Sequence, residues 1–162
     1  MTPSAAHDQA YRREDGHDEM QLQVHQLLTE IRVPLKGPRI ACENFFSHIE
    51  YPFESGGVVK GFADVVAEFG VARDGRREGT DQTFQIFEIK PIIYSAGAVI
   101  RQCRVLESMA RWVLHDEHGR RQKFSVVPVV QWNDPLFDIL EAMSPYPVLA
   151  WDMHAAAPRD CS

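Results

Sequence analysis

FEIKPIIYSAGAVIRQ, residues 87–102, places Glu88 and Lys90 at alternate positions of an apolar run. The run reads as the end of a strand, TFQIFEIKPII over residues 83–93, and Pro91 marks where regular pairing stops. Ser95 then stands as the N-cap of a helix that reaches to about His115. Strand side chains alternate between faces, so Glu88 and Lys90 share one face with Ile86, while Phe87 and Ile89 take the other. A charged side chain pointing into a core is rare unless it is paired, metal-bound or catalytic. The ordinary alternative is a Glu-x-Lys pair on a solvated face, and the neighbouring segments weigh between the two.

The segment before it, VVKGFADVVAEFGV at residues 58–71, is a second strand whose apolar centre holds one acid, Asp64. ARDGRREGTDQ, residues 72–82, reads as the hairpin loop between the two strands. Pairing around that loop brings Asp64 near Glu88 across the ladder. Two carboxylates brought together out of water repel each other, and a divalent cation relieves them. Oxygen-only ligands favour Mg²⁺, with Mn²⁺ as a substitute, and Mg²⁺ needs only one or two carboxylates beside water and substrate phosphate. A lysine beside such a site can act on an attacking water or offset the charge that develops during phosphoryl transfer. The grouping has the parts of a metal-assisted phosphodiester hydrolase.

The rest of the chain supplies the frame. Residues 1–16 are polar and aperiodic and read as a disordered tail. From Asp18 the apolar residues Met20, Val24, Leu27, Leu28 and Ile31 recur at helical spacing until Pro34 ends the pattern. IACENFFSHIEYPF (40–53) is a strand closed by the turn ESGG. KFSVVPVVQW (123–132) is a fourth strand, NDPLFDILEAM (133–143) opens a short helix, and YPVLAWDM (146–153) is a last strand. The order α-β-β-β-α-β-α-β predicts an α/β fold with a central mixed sheet flanked by helices, formed by one domain over residues 17–154. Residues 155–162 read as a loose C-terminal tail.

Composition sets further bounds. The net charge of −6 argues against indiscriminate nucleic-acid binding by the whole surface, although a local basic patch is compatible with it. Cys42, Cys103 and Cys161 are odd in number and widely spaced, which suits reduced thiols in a cytoplasmic protein. His115 and His118 in HDEHG read as exposed histidines of a polar loop, since no further ligand pair completes a metal site. The first residues lack the apolar core of a signal peptide, and no run approaches the ~20 apolar residues of a membrane span.

GFADVV, then FEIK, then a helix carrying Gln102 resembles the PD-(D/E)xK nuclease superfamily, of restriction-endonuclease-like fold, in its Holliday-junction-resolvase-like or RecB-like flavour. The resemblance runs from about Asp18 to Trp132. Ala63 stands where the motif has proline, and Leu106 stands where RecB-like members often carry a tyrosine. The resemblance implies a Mg²⁺-dependent nuclease acting on DNA, in which Asp64 and Glu88 bind the metal, Lys90 assists the attacking water and Gln102 assists from the helix. Gln102 lies at the edge of the stripe formed by Val99, Cys103, Leu106, Ala110 and Val113, so its amide can face the site.

Many relatives add another acid from the first helix or first strand. Glu19 and Glu30 lie opposite the apolar stripe of the first helix, and His25 flanks that stripe, which leaves Glu50 as the candidate for an extra metal ligand. Arg73, Arg76 and Arg77 are the candidates for nucleic-acid phosphate contact, because a loop tip can reach a duplex, and Lys60, near the start of the Asp64 strand, joins them. Double-strand cleavage by so short a chain favours a homodimer with two active sites. The alternative function is a catalytically silent module on the same scaffold that binds nucleic acid or a partner protein.

Overall fold

The structure, a computed structural model, describes residues 16–37, 40–73 and 79–159. Among these the chain runs α1 (His17–Ile31), β1 (Cys42–Ser55), β2 (Val58–Ala72), β3 (Thr80–Lys90), α2 (Ala96–Val113), β4 (Lys123–Gln131), α3 (Phe137–Met143), β5 (Leu149–Asp152) and β6 (Ala157–Pro158). The strands form one six-stranded sheet in sequential order. β1, β2 and β3 are an antiparallel meander, β4 and β5 join in parallel, and β6 closes the edge antiparallel to β5. The α/β class and the mixed sheet expected from the sequence are both present.

Each helix forms where the sequence offers a buried stripe. α1 lays Met20, Val24 and Leu28 on one face of the sheet, against Val65, Phe87, Ile89, Val127 and Trp151. α2 lays Val99, Cys103, Leu106 and Ala110 on the opposite face, against Val66, Ile86 and Val130, with Phe137 and Leu140 of α3 beside them. β3 is therefore covered on both sides, and its residues alternate between the two layers. Fully burying a side chain such as Leu28 or Ile89 contributes roughly 1.5–3 kcal/mol, so the two layers together make the central strands the most firmly held part of the fold.

The ends of the elements follow local chemistry. Ser95 caps α2, its hydroxyl accepting from Ala98 N at 3.3 Å. α1 ends at Arg32, whose backbone turns left-handed before Pro34. Gly56 and Gly57, both at positive φ, make the tight turn between β1 and β2.

Several boundaries shift from the sequence reading, and three of the shifts have a plain local cause. β3 begins at Thr80 instead of Thr83, because Thr80, Asp81 and Gln82 pair with Ala72, Val71 and Gly70 and lengthen the hairpin. α3 begins at Phe137; before it Asp134 ties down a turn, its carboxylate accepting from Leu136 N and Ile93 N, each at 2.9 Å. Residues 155–159, read from the sequence as part of a loose tail, are held in place, and residues 160–162 lie outside the described residues. Ala157–Pro158 pairs with β5, Arg159 N donates to Ala150 O at 2.9 Å, and the Arg159 guanidinium sits 3.5 Å from the centre of the Trp132 ring. The proposed N-terminal tail, apart from Gly16, lies outside the described residues, as does Cys161.

Candidate active site

The β2–β3 ladder runs from Ala72↔Thr80 to Val65↔Phe87 and stops there, one residue short of Asp64 and Glu88. At the same point β2 turns over. Ala63 packs in the α2 layer and Val65 in the α1 layer, so the alternation expected of a regular strand breaks at Asp64. Glu50 lies across from this break in β1, between the pairs Ile49↔Val65 and Tyr51↔Ala63, with a left-handed backbone at φ 50°. A residue in that conformation locally rotates a strand, so the irregularity is shared by β1 and β2.

Where β2 leaves the ladder its polar groups need other partners. The Asp64 carboxylate takes the place of a ladder carbonyl: its Oδ2 accepts from Ile89 N at 2.8 Å. Its Oδ1 lies 3.2 Å from His17 Nε2, at the first turn of α1. The Asp64 backbone carbonyl accepts from Gln21 Nε2 at 2.9 Å. The Asp64 side chain stays 22% exposed, so the carboxylate remains reachable from solvent.

Glu88 continues β3 beyond that ladder, still paired to Pro128 of β4 and facing the α2 layer. It is 4% exposed, one of three buried polar or charged residues among those described. Lys90 Nζ lies 3.6 Å from Glu88 Oε1, and the lysine is 20% exposed. Burial, and then the nearby Asp64 carboxylate, push the Glu88 carboxyl up to about 8; Lys90 and His17 act in the opposite direction. Cys103 of α2 feels the same site. Burial and then the Glu88 charge push its thiol up to about 12, which makes it an inert filler of the wall and no nucleophile.

The structure thus brings together Asp64, Glu88 and Lys90, as the sequence predicts. It adds His17 and Gln21, which the sequence reading missed and whose partner Asp64 lies more than forty residues further along the chain. A signal for them was there: His17, Gln21, Val24 and Leu28 follow one helical face, so two polar residues extend an otherwise apolar stripe.

The remaining candidates stand apart. Gln102 is exposed on α2, with no hydrogen bond to the carboxylates among the described residues. Its neighbour Cys103 takes the buried position facing Glu88. Lys60 is exposed near the start of β2. Arg73 lies at the far end of β2, roughly 30 Å from Asp64 at ~3.3 Å per residue, and its Nε is held 2.7 Å from Asp81 Oδ1. Arg76 and Arg77 lie outside the described residues. His25 is held by Ser47, Nδ1 to Oγ 2.8 Å, and takes no part in the site.

Among the described residues no three His, Cys, Asp or Glu side chains converge as a complete protein cage for a metal. Mg²⁺ does not require one, because water and phosphate oxygens fill most of its positions. A buried carboxyl with a second carboxylate beside it is a hard oxygen donor set short of positive charge, and it fits such an ion.

Comparison with protein-family models, curated proteins and solved structures finds no match. The reading of the site therefore rests on its own geometry. Among the described residues no helix is long and apolar enough to cross a membrane.

Proposed function

We propose that the protein is a Mg²⁺-dependent nuclease that hydrolyses DNA phosphodiester bonds, on a restriction-endonuclease-like fold. The observation that carries the reading is the placement of Glu88. A buried acid stands beside Asp64 and Lys90 at the one point where the central hairpin opens. The element order around it and the motif Asp64…Glu88-x-Lys90 agree with the PD-(D/E)xK pattern.

Asp64 and Glu88 would hold the metal, with Mn²⁺ able to replace Mg²⁺. The ion, when bound, supplies Lewis-acid polarisation of the scissile phosphate and a lowered pKa for water. Asp64 offers an exposed carboxylate whose orientation is set in advance by Ile89 N. Glu88 offers a buried one, fixed on a strand that β4 supports through Lys90. Burial strengthens each charge interaction here relative to open water. Lys90 Nζ donates hydrogen bonds to the attacking water and offsets the negative charge that grows on the phosphate oxygens. DNA is the partner this chemistry implies, and Lys60, exposed near the start of β2, would be a contact to its phosphates outside the carboxylate site.

The test is cleavage of DNA and RNA by purified protein with Mg²⁺ or Mn²⁺, set beside Asp64→Asn, Glu88→Gln and Lys90→Ala. Wild-type cleavage that disappears in all three folded variants supports the reading. An inactive wild type that still binds DNA would support the silent module instead.

A further inference from the structure

Asp64 is gripped at both ends by one helix. His17 Nε2 reaches its carboxylate at 3.2 Å, and Gln21, one turn along α1, reaches its backbone carbonyl at 2.9 Å. Gln21 is buried, so its amide has been taken out of water to make this contact. The carbonyl lies where the β2–β3 ladder has already ended, and a buried carbonyl without a partner is costly.

We infer that Gln21 is a positioning residue for the metal-holding carboxylate. Its bond to the Asp64 carbonyl fixes the turn of β2, and through it the place of the Asp64 side chain relative to Glu88. This rests on the proposed metal site and adds to it a residue that touches neither metal nor substrate. Without the amide, the Asp64 peptide rotates to find another donor. The Cα moves with it, and the carboxylate leaves its register on Ile89 N.

A comparison within the same helix separates positioning from plain structural support. Gln23 makes a bond of the same kind and length, Nε2 to Met153 O at 2.9 Å, and its Oε1 accepts from Trp151 Nε1 at 2.9 Å. Those contacts tie α1 to β5 and the segment after it, and none of them is to Asp64. Gln23→Met therefore loosens the helix without removing a bond to Asp64, whereas Gln21→Met removes one directly.

The experiment is calorimetric titration of the full chain with Mn²⁺, comparing wild type, Gln21→Met, Gln21→Asn and Gln23→Met. Gln21→Asn keeps the amide but shortens its reach, and it serves if the methionine variant does not fold. Mn²⁺ affinity should fall about tenfold to a hundredfold in either Gln21 variant, the range typical when a group that orients a metal ligand is lost. It should stay within about twofold in Gln23→Met. The exchange of the Ile89 amide with solvent should quicken in the Gln21 variants alone, and any cleavage should lose kcat with little change in KM. Wild-type affinity in both Gln21 variants, or equal losses in the Gln21 and Gln23 variants, overturns the inference and leaves the metal site standing. Absence of Asp64-dependent Mn²⁺ binding in the wild type overturns the proposed function itself.

Discussion

The carboxylate of Asp64 accepts the backbone N–H of Ile89 at 2.8 Å, so a side chain completes the sheet where the strand's own carbonyl has turned away. One group thereby serves the fold and the candidate chemistry together, and the two roles can be separated by substitution. Asn keeps an oxygen acceptor at that position and Ala removes it. Asp64→Asn should unfold within about 1 kcal/mol of wild type, while Asp64→Ala should lose roughly 1–3 kcal/mol, the cost of a buried donor left unpaired. Both should lack nuclease activity. Urea unfolding alongside a cleavage assay checks this, and equal stability of the two variants would mean that the Ile89 bond contributes nothing.

Lys90 stands 3.6 Å from Glu88, partly exposed, so one cation borders both a buried acid and solvent. Lys90→Met keeps most of the apolar stem and removes the charge. Cleavage should drop by roughly a hundredfold or more, whereas the folded structure persists because a protonated Glu88 needs no cation beside it. The Glu88 carboxyl should move further upward, since the largest cationic influence on it is gone. Carbonyl-region infrared difference spectra of wild type and variant taken through pH 8 and above, with Glu88→Gln as the reference, report that shift directly.

Gln85 shows how a polar residue can hold the frame without touching the site. It is buried on β3, accepts from Leu35 N at 3.1 Å and donates to Lys36 O at 2.8 Å, and so pins the α1–β1 connector to the sheet. Gln85→Leu should cost roughly 2–4 kcal/mol by leaving a backbone donor and a backbone acceptor without this partner. Mn²⁺ affinity should be kept, because Gln85 and the connector lie on the face of β3 opposite Glu88. Thermal unfolding and metal titration on the same sample test both halves.

What was legible in the sequence divides along physical lines. The apolar periodicities of α1 and α2 and the long runs of β2, β3 and β4 reflect burial alone, and they placed the sheet and its helices. Glu88 and Lys90 stood out because charge inside an apolar run is itself the signal. His17 and Gln21 were hidden because their partner is a strand far along the chain. Their role depends on where the β2–β3 ladder ends, and side-chain alternation says nothing about that. Gln102 misled for the opposite reason: the edge of a helical stripe gives a direction to within tens of degrees, and here the difference lies between Cys103 facing Glu88 and Gln102 facing solvent. Residues 155–159, three alanines, a proline and an arginine, gave no strand pattern, yet a ring–guanidinium contact between Trp132 and Arg159 helps hold them against β5.

The last prediction concerns pH. Folding raises the Glu88 carboxyl from its ordinary value of 4.5 to about 8, through burial first and the Asp64 charge second. Between those values the metal-free folded protein holds a proton there that the unfolded chain has released. The contribution of this group is therefore fully present below about 4.5 and is lost as pH rises through about 8. In the presence of a chelator, stability attributable to Glu88 should decline by a few kcal/mol across this window, and Glu88→Gln should remove that slope. Metal reverses the sign, because the ion competes with the proton for the same oxygens. The stabilisation conferred by saturating Mn²⁺ should grow from pH 6 to about 8 and then level off, with protons released on binding at the lower end. Urea unfolding at pH 5.5, 7 and 8.5, with chelator and with Mn²⁺, measures both slopes. Parallel behaviour of wild type and Glu88→Gln in both series would show that Glu88 is neither protonated by its surroundings nor engaged by the ion.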